Sequence, residues 1–120
     1  MKEACTIVIF GSTGNLARIK LLPALYRLDA AGHLDADTRI IGFGRRPWSD
    51  ADCRREVRTI LEEQIGQALD GATADRLTAR LLFQEGDLTG ADGFVRLGER
   101  LAGSEELPRN LVFYLAIAPR

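Results

Sequence analysis

The chain has 120 residues, 46% of them apolar and 28% charged, values ordinary for one soluble globular domain. Sixteen Lys and Arg against seventeen Asp and Glu leave a net charge of −1, so there is no general attraction to nucleic acid or to an anionic membrane. The two cysteines, Cys5 and Cys53, are too few for a disulfide framework and fit neither a CxxC nor a zinc spacing, and no metal site is expected. No apolar run approaches the roughly twenty residues of a membrane-spanning helix. Met1-Lys2-Glu3 carries an acid and runs straight into a strand-like segment, unlike a signal peptide. A reduced, cytoplasmic setting is the expectation. Fourteen of the sixteen basic residues are Arg, which reads first as a coding bias, so only Arg at special positions carries argument.

Ala4–Phe10 is an apolar run rich in β-branched residues and reads as a buried strand. Gly11-Ser12-Thr13-Gly14 is a tight turn. From Asn15 to Ala30 the residues Leu16, Ile19, Leu22 and Tyr26 recur at helical spacing, and Pro23 predicts a kink near the middle of that helix. Gly32 ends it. Thr38–Phe43 reads as a second strand, closed by Gly44-Arg45-Arg46-Pro47. Ser49 and Asp52 form a capping-box pair, and Cys53, Val57, Ile60, Leu61, Ile65 and Leu69 follow on one helical face. Thr73–Arg80 reads as a short separate helix. Leu81–Gln84 is the third strand, ending at Glu85-Gly86-Asp87. Thr89 and Asp92 suggest another capping box, with Phe94, Leu97 and Leu101 on one face and Gly103 as the stop. Asn110–Ala118 is the strongest strand signal in the chain.

Strands alternating with helices predict a parallel sheet with right-handed crossovers and helices on both faces. The expected fold is α/β: the N-terminal portion of a Rossmann-like doubly wound sheet, about four strands with flanking helices.

Strand, then Gly11-x-x-Gly14-x-x-Ala17, then helix is a phosphate-binding arrangement. Gly11 permits the sharp exit, Gly14 lets a pyrophosphate approach the backbone, and Ala17 is small enough for the helix to lie close to the sheet. By itself the pattern is weak, because many strand-helix turns hold two glycines for conformational reasons. Its place at the first β-α junction favours a dinucleotide. An NAD site usually has Asp or Glu at the end of the second strand for the ribose 2′-hydroxyl. Here Arg45-Arg46 stands there, and guanidinium groups can hold a 2′-phosphate in a fork. That reading is NADP; the alternative is two solvated loop arginines. Asp87 either accepts from the adenine amine or caps the next helix. Lys20 either reaches a phosphate or substrate anion or is solvated. His33, the only histidine, lies in a Gly-His-Leu loop and reads as a loop residue rather than a general base. Trp48 and Tyr114 read as packing residues, Tyr114 near the C-terminal edge where ligands bind.

Several blocks together resemble the N-terminal segment of bacterial glucose-6-phosphate dehydrogenases. They are Ile7-Val8-Ile9-Phe10-Gly11-Ser12-Thr13-Gly14-Asn15-Leu16-Ala17, Lys20-Leu21-Leu22-Pro23-Ala24-Leu25-Tyr26-Arg27-Leu28, Thr38–Arg45 and Phe113–Pro119. That family oxidises glucose 6-phosphate to the 6-phosphoglucono-lactone and passes hydride to NADP, in the pentose phosphate pathway. The resemblance implies that Gly11, Ser12, Thr13, Gly14 and Leu16 form the coenzyme fingerprint and that Arg45 meets the 2′-phosphate; Asn15 within that turn and Arg46 beside Arg45 join the candidate coenzyme residues by position. It places Ala116 and Pro119 beside the nicotinamide and gives Lys20 a substrate-binding role near the reacting centre. Asn15 stands where the family usually has Asp, and Ile19 where it usually has a basic residue. The family's Arg-Ile-Asp-His-Tyr and Glu-Lys-Pro motifs are absent. The expectation is therefore a partial NADP-binding domain over 1–120, with no catalytic residue in this chain and the substrate domain outside it. The parent enzyme would take glucose 6-phosphate and form a homo-oligomer. Two rivals stand beside this: an NADP-sensing regulator related to short-chain dehydrogenases, suggested by Gly86-Asp87-Leu88-Thr89, and an interaction module whose glycines serve the turn alone.

Overall fold

The structure is a computed structural model and describes residues 3–11, 17–87 and 90–115. Its four strands are β1 (Thr6–Phe10), β2 (Arg39–Gly44), β3 (Leu81–Glu85) and β4 (Leu111–Leu115), all parallel, in the order β3-β2-β1-β4. Between them run α1 (Leu22–Ala30), α2 (Asp50–Ile65), α3 (Gly71–Ala79) and α4 (Ala91–Gly103). The expected doubly wound α/β arrangement is thus the observed one.

Alternation along the strands divides the core in two. Ile7, Ile9, Ile40, Leu81 and Phe83 point to one face and pack with Leu25 and Tyr26 of α1, Val57, Ile60 and Leu61 of α2, and Leu77 of α3. Val8, Phe10, Ile41, Phe43 and Leu82 point to the other, where α4 supplies Leu97. Among the described residues one face carries three helices and the other a single helix.

The element boundaries differ from expectation in ways that have local causes. β1 begins at Thr6, not Ala4, because Cys5 directs its N–H to the Thr38 hydroxyl at 3.3 Å. The single kinked helix expected from Asn15 to Ala30 is instead a π-helical turn, Ala17–Leu21, followed by α1. Pro23 therefore lies in the first turn of α1, directly after the π-helical turn, where its fixed φ suits the start of a helix. Gly32, at φ 76°, takes the left-handed conformation that ends the segment.

The Ser49–Asp52 capping box forms in full, the Asp52 N–H donating to Ser49 Oγ at 3.1 Å and the Ser49 N–H to Asp52 Oδ2 at 3.0 Å. The α3 helix spans Gly71–Ala79, starting earlier than Thr73, because Asp70 caps it by accepting the Thr73 N–H at 3.0 Å. β2 and β3 each run one residue past their expected ends. The N-cap of α4 is Gly90, which has no side chain, so the capping box expected from Thr89 and Asp92 is replaced; Thr89 itself lies outside the described residues. Residues 116–118 of the fourth predicted strand also lie outside them.

An unpredicted ion cluster holds the end of the sheet where the strands begin. Asp29, at the end of α1, is 2% exposed and accepts from Nε and Nη2 of Arg80, both at 3.3 Å. Arg80 also donates to the carbonyls of Asp35 (2.6 Å) and Thr38 (3.1 Å), and Arg76 reaches Asp29 from α3. The α1–β2 connection and the α3–β3 junction are pinned to one carboxylate. Replacing one partner leaves the other charge buried and unpaired, which costs about 3–5 kcal/mol. Asp29→Ala is expected to lower the unfolding free energy by about that much in urea melts; a loss of a few tenths of a kcal/mol would show that the cluster holds nothing.

Both cysteines are buried, at 4% exposure each. Burial pushes the Cys53 thiol up to about 11, so at pH 8 it is protonated and shielded. Iodoacetamide is expected to spare Cys53 in the folded chain and to label it readily in denaturant. Equal rates in both states would contradict this packing.

Candidate functional site

The strand order reverses at β1. From it the chain moves outward through β2 to β3, then crosses back to place β4 on the opposite side of β1. In open parallel sheets the crevice beyond the strand C-termini at such a reversal is where ligands bind. Gly11 leaves β1 at that point with φ 80°, a conformation that would strain any other residue. Its N–H donates to the Phe43 carbonyl at 3.1 Å, and the Gly86 N–H donates to the Gly44 carbonyl at 2.8 Å. The exits of β1, β2 and β3 are thereby laced side by side.

Arg45 and Arg46 follow directly on β2 and are exposed. Other arginines are engaged structurally. Arg54 donates to the Leu81 carbonyl, Arg58 pairs with Asp75, Arg80 with Asp29 and Arg100 with Asp50. No such pair among the described ones engages Arg45 or Arg46. The nearest acids along the chain are committed elsewhere. Asp50 accepts the Phe83 N–H at 2.7 Å and pairs with Arg100. Asp52 closes the capping box and pairs with Arg55; the Ser49 backbone N–H, then its hydroxyl, hold the Asp52 carboxyl below the usual range. The β2 exit is therefore a cationic tip with no carboxylate following it until the first turn of α2.

Asp87, half-buried, stands just past β3, and its carbonyl accepts the Gly90 N–H at 3.1 Å to close a turn. Its position depends on two glycines that sequence reasoning did not single out as a pair. A Cβ on Gly86 would lie 2.3 Å from the Phe43 ring and 3.0 Å from the Gly93 Cα, and one on Gly93 would lie 2.7 Å from the Gly86 Cα. This close approach seats the start of α4 against the end of β3. The available signal was a glycine in the first turn of a helix, where it otherwise weakens the element.

Ala17 is fully buried, in keeping with a small residue that lets the first helical segment lie on the sheet. Lys20 is exposed on the same segment. The structure thus brings Gly11, Arg45, Arg46 and Asp87 to one edge. Ser12, Thr13, Gly14, Asn15, Leu16, Ala116 and Pro119 lie outside the described residues. His33 is exposed at the end of α1, its N–H donating to the Leu28 carbonyl at 2.9 Å. Trp48 packs on Phe83 with ring centroids 5.4 Å apart, whereas Tyr114 is 43% exposed, near the C-terminal end of β4. Among the described residues no cluster of three or more His, Cys, Asp or Glu could hold a metal, and no helix is long and apolar enough to cross a membrane.

Comparison with known proteins bears on the same stretch. A family profile described as "Glucose-6-phosphate dehydrogenase, NAD binding domain" matches residues 8–120. The glucose-6-phosphate 1-dehydrogenase of Dickeya dadantii is 43% identical over 117 residues, covering 98% of this chain and 23% of the relative. That of Bacillus subtilis is 34% identical over 116 residues, covering 94% of this chain and 23% of the relative. Among solved structures, glucose-6-phosphate 1-dehydrogenase from Mycobacterium avium superimposes with a TM-score of 0.80 at 31% identity, over 98% of this chain and 24% of its own. A glucose-6-phosphate dehydrogenase in complex with its substrate gives 0.79 at 31% identity, over 98% and 25%. The chain spans about a quarter of the length of these relatives. A match over nearly every residue, in sequence and in three dimensions, is decisive: the chain belongs to the glucose-6-phosphate dehydrogenase family, and the part it matches is the NAD-binding domain.

Proposed function

We propose that this chain binds NADP along the C-terminal edge of its sheet, as the coenzyme-binding part of an enzyme that oxidises glucose 6-phosphate to 6-phosphoglucono-lactone. The observation that carries the reading is the pair of exposed guanidiniums, Arg45 and Arg46, at the exit of β2, beside left-handed Gly11 at the strand-order reversal. A 2′-phosphate needs cations there and is repelled by the carboxylate that suits a free ribose hydroxyl. The turn Ser12–Leu16 would hold the diphosphate, Asp87 the adenine end, and Ala116 and Pro119 the nicotinamide side. Bound NADP supplies the hydride acceptor.

Lys20, exposed and cationic, would meet the sugar phosphate. Hydride removal from a hydroxyl also needs a base to take the proton. His33, the only histidine, lies at the end of α1, away from the strand exits, and does not fill that role. The 120-residue chain is accordingly proposed to bind coenzyme without turning over sugar phosphate. The parent enzyme is proposed to be a cytoplasmic homo-oligomer acting on a small molecule, with neither nucleic acid nor membrane as partner.

Calorimetric titration of the chain with NADP and NAD tests the reading. NADP is expected to bind more tightly. A charge-assisted hydrogen bond is worth about 1.5–3 kcal/mol, so Arg45→Ala should weaken NADP by roughly 10- to 150-fold and leave NAD nearly unchanged. Equal loss for both coenzymes would refute the role of Arg45. Binding of neither would leave an interaction module whose glycines serve only the turn. Glucose 6-phosphate oxidation above a protein-free control would refute the inactivity of the isolated chain.

A further inference from the structure

Residues 45–49 alone join the end of β2 at Gly44 to the start of α2 at Asp50. Arg45, Arg46 and Pro47 in that loop are exposed. Long cationic side chains in water are placed only as well as the backbone that carries them, so the anchoring of the loop ends matters.

The anchors gather on β3. At the first end the Gly44 carbonyl accepts the Gly86 N–H at 2.8 Å. At the second, three contacts meet at Phe83. Trp48 lays its ring on the Phe83 ring, with centroids 5.4 Å apart. Asp50 accepts the Phe83 N–H at 2.7 Å. Arg100 donates to the Phe83 carbonyl at 2.6 Å and pairs with Asp50 at 3.3 Å. The Ile40 N–H bonds to the Arg80 carbonyl, so alternation turns the peptide groups of Phe83 away from β2. Asp50 comes from α2 on one face of the sheet and Arg100 from α4 on the other. The two helices therefore meet around the side of β3, with one peptide unit between them.

The Asp50 and Arg100 side chains are 36% and 28% exposed, and an ion pair that open to water adds little to stability. What it fixes is position. Pro47 sets one φ of a very short loop, and Ser49 is held by its capping box, so little freedom remains to absorb a shift of the α2 start. We propose that Asp50 and Arg100 are positioning residues for the cationic tip: their hold on Phe83 fixes the 45–49 loop and thereby sets the preference for NADP over NAD. This rests on the NADP-binding role proposed for Arg45 and Arg46 and extends it to a residue of α4.

Calorimetric titration of the chain with NADP and NAD, together with trypsin cleavage read by mass spectrometry, tests this. Trypsin cuts after Arg but not before Pro, so within the loop only the Arg45–Arg46 bond is open to it. Arg100→Met removes the bonds to Asp50 and to the Phe83 carbonyl. Asp50→Asn keeps an acceptor for the Phe83 N–H and loses the charge. Each is expected to weaken NADP by roughly 3- to 30-fold, to leave NAD nearly unchanged and to speed cleavage after Arg45. Asp50→Asn separates position from charge, because removing an anion beside the tip would by charge alone tighten NADP. Arg100→Lys, which keeps a cation for Asp50, is expected to restore part of the preference. Arg76→Met removes a cation at the opposite end of the sheet and is expected to change neither the NADP-to-NAD ratio nor the cleavage. Circular dichroism checks that the variants remain folded. Equal weakening of both coenzymes, an unchanged ratio, or tighter NADP binding by Asp50→Asn overturns the proposal. If the wild-type chain binds neither coenzyme, the coenzyme reading itself fails. Cleavage then decides the rest: faster cutting after Arg45 in both variants upholds the hold on the loop, and unchanged cutting overturns it.

Discussion

Parallel pairing of β1 with a neighbour on each side is the constraint from which the remaining architecture follows. Thr6–Phe10 are all buried, and each residue has a register partner in both β2 and β4. A parallel neighbour cannot be reached by a tight turn, so each connection must cross the sheet and bring helical segments with it. Because the chain leaves β1 on one side and returns on the other, the strand order reverses beyond the C-terminal end of β1, where a ligand crevice forms in open parallel sheets. Gly11 is where that geometry is least forgiving, since the chain must leave a fully paired strand while its N–H still bonds to β2.

The two ends of the sheet do different physical work. At the end where the strands begin, Asp29 and Arg80 tie helices and loops together through buried charge-assisted bonds. Such a pair is costly to desolvate and more costly to break, which makes it a device for holding one arrangement rather than a source of net stability. At the end where the strands finish, the cations stand in water and the first-turn carboxylates of α2 are turned to other partners. Arginine serves both purposes in this chain, and burial distinguishes them: Arg80 is 5% exposed, whereas Arg45 and Arg46 are open to solvent.

Among the described residues three helices pack on one face and α4 on the other, with Phe94 and Val95 partly exposed. Phe113 continues that face, its ring stacked on Phe10.

Much of this was legible in the residues. Alternating apolar runs and 3.6-residue periods determined the elements and their order, because both patterns are local and follow from backbone geometry. Gly11, the small Ala17 and the absence of an acid after the second strand marked the edge proposed for the coenzyme for the same reason. Tertiary structure alone decided three things. Pro23 starts a helix because a π-helical turn precedes it. Asp29 is buried because Arg80, fifty-one residues away, reaches it. Phe113 and Tyr114, the centre of the strongest strand signal, are exposed because burial depends on what packs against a strand, and no pattern within the strand records that.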